Sequence, residues 1–199
     1  MMLFLCIVIG VLAGLACYWI QGQVDKTNAY HMCIFLFIGG LYGFVIWHIR
    51  DDFSQAVLLV VSSALLYMGA TIDKHYWILP DWGASLLALC GLLYRYLLNQ
   101  LDWLCFVVSG LTLGVMYLLY VLSRHNFGLG DVKWMAALSL WMTPWEVYSF
   151  ITLSFVCGCL YLAVCNRTWS THTIRNRYIP FGPPMACAAF LVLHGHWLV

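Results

Sequence analysis

Polar positions along this chain are few and clustered, so the sequence divides into eight apolar runs joined by short connections: Leu3–Ile20, Tyr30–Trp47, Ala56–Ile72, Ala84–Leu98, Trp103–Leu122, Val132–Met142, Val147–Cys165 and Pro184–Val199. A helix needs about 20 apolar residues, within a range of about 17 to 25, to cross a hydrocarbon core about 30 Å thick. Most of the runs reach or approach that length. The sixth is too short to cross unaided and must be extended by its flanks, sit in a thinned region or be shielded by neighbouring helices. The pattern predicts an all-helical, polytopic integral membrane protein with about eight transmembrane helices, residues 1–199 forming one membrane-embedded domain. No positive charge precedes the first run, so it is expected to remain as a transmembrane helix rather than to act as a cleaved signal peptide.

Composition strengthens this reading. The chain is 64% hydrophobic and 9% charged, against about half apolar and roughly a quarter charged in soluble domains. A net charge of +1 provides no basic face, which argues against a nucleic-acid partner and leaves the lipid bilayer as the surroundings. The nine cysteines lie in or beside apolar runs and form no Cys-x-x-Cys. Cys157 and Cys159, two apart on an expected helix, point to different faces. Buried free cysteine behaves as a small apolar side chain, so neither a metal nor a disulfide framework is expected, and no cofactor.

The sparse charges orient the chain. With eight crossings, the connections on one side hold Lys26, Lys74, Arg124, Lys133, Arg167, Arg175 and Arg177, and those on the other hold Arg50, with Arg95 inside the fourth run. That bias puts the first set in the cytoplasm and both termini outside. Asp25, Asp51, Asp52, Asp102 and Glu146 fall in short connections, where solvation explains them. Asp73, Asp81 and Asp131 all fall on the cytoplasmic side.

Asp131 stands out because it closes Gly128-Leu129-Gly130-Asp131 at the mouth of the short sixth run. The glycines supply backbone that turns sharply or approaches a partner closely. An acid there is a good helix cap, and it is also an acid near membrane level, where function is the default hypothesis. Asp73 alone reads equally well as a solvated helix-end carboxylate beside Lys74. Together the two acids suggest more. Carboxylates brought close cannot both ionise easily and tend to hold one proton between them; the ionised one takes a proton from water while the protonated one donates to a peptide carbonyl. No Gly-x-Ser-x-Gly and no nucleophile–base pairing competes in the connections. His75, His125 and His172 read as loop or headgroup residues, His194 and His196 as an interfacial tail beside Trp197, and Trp77, Trp82, Trp134, Trp141 and Trp145 as interfacial belts.

Three stretches taken together, Asp73 to Asp81 (DKHYWILPD), Gly128 to Lys133 (GLGDVK) and Ile179 to Pro183 (IPFGP), resemble in order, spacing and membrane side the signature stretches of type IV prepilin peptidases. The resemblance runs from about Ser54 to the C-terminus. It implies a GxGD-type aspartic endopeptidase of the bacterial inner membrane that removes basic leader peptides from prepilins or pseudopilins at the cytoplasmic face. By this resemblance Asp73 and Asp131 are the catalytic pair. Gly128, Gly130, Lys74, Asp81 and Lys133 support them, with Asp81 orienting its loop or meeting the leader, and Pro180 and Gly182 lie in a substrate-side loop that could close over the site. Larger members carry a zinc-binding domain, associated with N-methylation, between their first two membrane segments. Here that connection is only Gln21 to Ala29, so a short form without zinc is expected and methyltransferase activity is doubtful. Two rivals stay open: another GxGD protease such as a preflagellin-type enzyme, and a noncatalytic proton-coupled transporter or assembly subunit. Pairing of the enzyme into a homodimer also stays open.

Overall fold

The computed structural model describes residues 2–24, 29–49, 52–124, 127–168 and 180–195. All regular structure among them is helical: α1 (Met2–Val24), α2 (Ala29–Ile49), α3 (Phe53–Tyr76), α4 (Asp81–Leu97), α5 (Trp103–Leu122), α6 (Leu129–Ser139), α7 (Pro144–Thr168) and α8 (Gly182–Gly195). Each apolar run of the sequence corresponds to one helix. Four of them, α1, α3, α5 and α7, are long and apolar enough to cross a membrane. The 11 residues of α6 rise about 16 Å at 1.5 Å each, well short of a hydrocarbon core.

Helix α3 is the centre of the bundle, packing against α1, α2, α4 and α8. Within its most apolar window 56% of residues are buried, against 17% for α5 and α7, whose outer faces remain apolar and exposed as a lipid solvent requires. It ends where Trp77 adopts a left-handed conformation (φ 61°) and donates its N–H to the Asp73 carbonyl at 2.9 Å, a turn that halts the helix one residue past Tyr76. Helices α1 and α2 meet through glycine: a Cβ at Gly10 would stand 2.2 Å from the Gly39 carbonyl oxygen, and one at Gly43 2.4 Å from that of Cys6. Small residues are what allow membrane helices to approach so closely.

The short helix α6 is fastened to α4. Trp134 is 2% exposed and donates its indole N–H to the Pro80 carbonyl at 3.1 Å; Trp141 is 3% exposed and donates to the Leu87 carbonyl at 2.8 Å. From the other direction Arg95 of α4, also buried, donates to the Met142 carbonyl at 2.7 Å and to Gln100 at 3.3 Å. Ser109 of α5 donates to the Ala136 carbonyl at 2.8 Å. These bonds give side-chain donors to carbonyl groups along α4 and α6. They also correct the expectation for two tryptophans: Trp77, Trp82 and Trp145 are exposed, but Trp134 and Trp141 are core residues. His194 likewise is no tail residue. It lies in α8 with its Nε2 2.6 Å from the Tyr42 hydroxyl, which also bonds Ser63 at 2.6 Å.

Candidate active site

Asp73 sits on the last full turn of α3 and Asp131 in the first turn of α6, and both are buried. A carboxylate at the end of a membrane helix is ordinarily solvated, so two enclosed ones need donors. Asp73 has a backbone N–H. Gly182, the first residue of α8, donates to Asp73 Oδ2 at 2.6 Å. The Asp131 carboxylate reaches back from the third helical position to the capping residue Gly128, where a Cβ would stand 2.6 Å from its Oδ2. The two acids also sense one another. Burial first, and then the Asp73 charge, push the Asp131 carboxyl up to about 7, against the lowering influence of the Gly128 backbone amide. Neither acid is the solvated helix end that the sequence allowed, and Asp73 takes a donor from a segment 109 residues away rather than from Lys74, which is exposed.

The glycines of the Gly-Leu-Gly-Asp stretch serve closeness rather than turning. Gly128 is extended (φ −71°, ψ 133°), and no described glycine has a positive φ. A Cβ at Gly128 would stand 2.6 Å from Asp131 Oδ2, and one at Gly130 3.0 Å from the Cβ of Leu79. The first glycine therefore clears room for the carboxylate, and the second lets α6 press on the link between α3 and α4. At the N-terminus of α4, Asp81 pairs with Lys133 at 2.7 Å on the exposed surface. Asp81 is thus tied to the helix of Asp131 but is not one of the enclosed acids. Pro180 and Gly182 are both buried, Gly182 against Asp73 itself.

His125, His172, Arg175, Arg177 and most of the connection before Pro180 lie outside the described residues. Among the described residues no three His, Cys, Asp or Glu side chains gather as metal ligands would. Sequence reasoning missed the tryptophan wedge of Trp134, which packs against Gly69 one turn from Asp73. The signal was present as Gly69, a residue at α-helical spacing from an acid.

Residues 59–163, which carry both acids, match the model of the type IV leader peptidase family. The chain belongs to the type IV leader peptidase family. It is 34% identical over 146 residues to leader peptidase HopD of Escherichia coli, a match covering 68% of this chain and 89% of that one. To the prepilin leader peptidase/N-methyltransferase of Stutzerimonas stutzeri it is 31% identical over 163 residues, covering 78% of this chain and 55% of the relative. The type 4 prepilin-like proteins leader peptide-processing enzyme of Escherichia coli O78:H11 is 26% identical over 147 residues, with 70% and 52% covered. The chain thus spans about half the length of the latter two. No solved structure matches significantly. Membership of this family, with the apolar helices of spanning length, makes the chain an integral membrane protease.

Proposed function

We propose that this leader peptidase is an aspartic endopeptidase of the bacterial inner membrane, and that Asp73 and Asp131 cut the basic leader from type IV prepilins or type II secretion pseudopilins at the cytoplasmic face. The observation that carries the reading is the burial of two carboxylates on separate helices, with the charge of Asp73 adding to burial in raising the Asp131 carboxyl. Structural acids at membrane helix ends gain nothing from such a pairing; a proton-sharing pair gains its chemistry from it.

In this mechanism the ionised carboxylate takes a proton from a water molecule, whose oxygen attacks the scissile carbonyl carbon. The protonated carboxyl donates to the carbonyl oxygen, so the tetrahedral intermediate is a neutral diol and the pair has exchanged roles. The newly protonated carboxyl then gives its proton to the leaving nitrogen while the other carboxylate takes a hydroxyl proton from the diol, so that the C–N bond breaks, the leader leaves with a new carboxyl group and the starting state is restored. The backbone N–H of Gly182 holds one oxygen of Asp73 in place. The substrate's apolar helix rests in the bilayer while its polar leader reaches the rim, where both water and an unwound peptide are available. The protein works as a single membrane-embedded unit.

The test is cleavage of a co-expressed prepilin by the wild-type chain, Asp73→Asn and Asp131→Asn, with product mass and enzyme level in the membrane measured together. Asn keeps the size of the side chain and removes its proton. Both variants are expected to accumulate and to leave the leader attached, and the wild-type product mass reports whether a methyl group is added. Ordinary cleavage by either variant would discard the pair.

A further inference from the structure

We propose that the Phe181–Gly182 step at the start of α8 is a brace that sets the spacing of the two carboxylates, so that these residues are positioning residues rather than substrate contacts. The inference rests on the aspartic reading above and extends it. The Gly182 N–H reaches Asp73 Oδ2 at 2.6 Å from the N-terminus of α8, where amide groups have no partner inside the helix and favour an acceptor oxygen. Only glycine permits the approach: a Cβ at position 182 would stand 2.8 Å from both the Cβ and Oδ2 of Asp73.

The preceding residue reaches the other acid's loop. The ring of Phe181 meets that of Phe127 edge-on, centroids 5.5 Å apart at 66°, and that of Phe155 at 5.6 Å. Phe127 immediately precedes Gly128, which lies against the Asp131 carboxylate, since a Cβ there would stand 2.6 Å from its Oδ2. One dipeptide therefore touches Asp73 directly and the Asp131 loop through a single aromatic contact. Gly158 of α7 clears the space behind the ring, since a Cβ there would stand 3.2 Å from Phe181 Cε2. Trp134 joins α6 to α3 and α4 from one side, and the brace joins the two acid-bearing segments from the other.

A brace and a substrate contact differ kinetically. Loss of position lowers kcat, because the reacting groups no longer meet in register, and loss of a ground-state contact raises KM. The full-length enzyme, purified into proteoliposomes, is assayed on a prepilin as wild type, Gly182→Ala, Phe181→Ala and Phe181→Tyr. The two Ala variants are expected to lose on the order of 100-fold in kcat with KM unchanged, the effect of a displacement of about 1 Å. Phe181→Tyr, which keeps the ring, is expected to keep kcat. A rise in KM at unchanged kcat, or wild-type kcat in the Ala variants, overturns the brace. If Gly182→Ala does not accumulate in the membrane, the Phe181 pair decides on the same terms. Asp73→Asn and Asp131→Asn run alongside. If they cleave, the aspartic reading falls; if they are inactive while both Ala variants keep wild-type kcat, only the brace falls.

Discussion

The indole of Trp134 occupies the place that a side chain on Gly69 would take: a Cβ at Gly69 would lie 2.3 Å from Cη2 and 2.7 Å from Cζ3. Gly69 precedes Asp73 by one helical turn and Trp134 follows Asp131 by three residues, so the notch seats α6 against the segment of α3 that bears the other acid. Gly83 of α4 completes it, with a Cβ there 2.5 Å from Trp134 Cζ2.

Gly69→Ala is therefore expected to destabilise the protein by about 1–3 kcal/mol through overpacking and to depress cleavage. Gly110→Ala on α5, where a Cβ meets nothing within 4 Å, is the control and should change neither. Trp134→Leu in the Gly69→Ala background should recover part of the loss, because the two sites share one contact. Thermal unfolding in detergent and leader cleavage measure both effects, and a Gly69→Ala protein that behaves like Gly110→Ala would show that the wedge is dispensable.

On the proposed mechanism, the raised Asp131 carboxyl gives the activity a pH limb. The group keeps its proton below about 7 and loses it above, so the state with one shared proton is present below that value. Cleavage should fall as pH rises through neutrality. In Asp73→Asn the second cause of the shift is gone and burial, the larger one, remains, so the Asp131 carboxyl should titrate lower than in the wild type yet above an ordinary carboxylate. The carboxyl C=O infrared band against pH reads this directly. An identical titration in both proteins would mean that the acids do not share a field.

The Asp81–Lys133 pair, bonded at 2.7 Å with side chains 71% and 41% exposed, should matter little for stability. Exposed pairs contribute about 0–1 kcal/mol, and Asp81→Asn or Lys133→Gln should lower the unfolding midpoint only slightly, with less effect at high salt. A double-mutant cycle measures the coupling. A loss of several kcal/mol would recast the pair as a structural latch between α4 and α6.

Arg95 carries the opposite expectation. Its guanidinium is buried and satisfies the Met142 carbonyl just beyond the end of α6. Arg95→Met leaves that carbonyl without a donor and should cost about 1–3 kcal/mol. Arg95→Lys should recover only part, since an ammonium cannot serve Met142 and Gln100 with the same planar fork. Unfolding in detergent decides, and a neutral Arg95→Met would show that water serves the carbonyl equally well.

The helices were legible in the sequence because lipid demands long apolar runs whatever the fold, and the acids stood out because so few charges occur beside them. Which face of each helix meets protein was not legible. Lipid tails are as apolar as a core, so Trp134 and Trp141 look the same in sequence as Trp145, although the first two are enclosed and the third is exposed. Gly128 and Gly130 were recognisable as special, but their use depends on the position of Leu79 and of the Asp131 carboxylate, which no spacing encodes. The bond from Gly182 to Asp73 joins positions 109 residues apart, and Arg95 inside an apolar run gave no hint of the carbonyl it serves.

The tie between α6 and α4 bears on how the enzyme experiences its membrane. Long helices answer a thicker or thinner bilayer by tilting, but α6 has no hydrophobic length to match; its tryptophans and the carbonyl of Met142 are fixed to α4. The depth of Asp131 is accordingly referenced to a neighbouring helix and not to the lipid. On the proposed mechanism, a change in bilayer thickness should therefore reach Asp131 through the tilt of α4 and Asp73 through that of α3, so that leader cleavage in vesicles of graded acyl-chain length reports how those two helices answer the membrane.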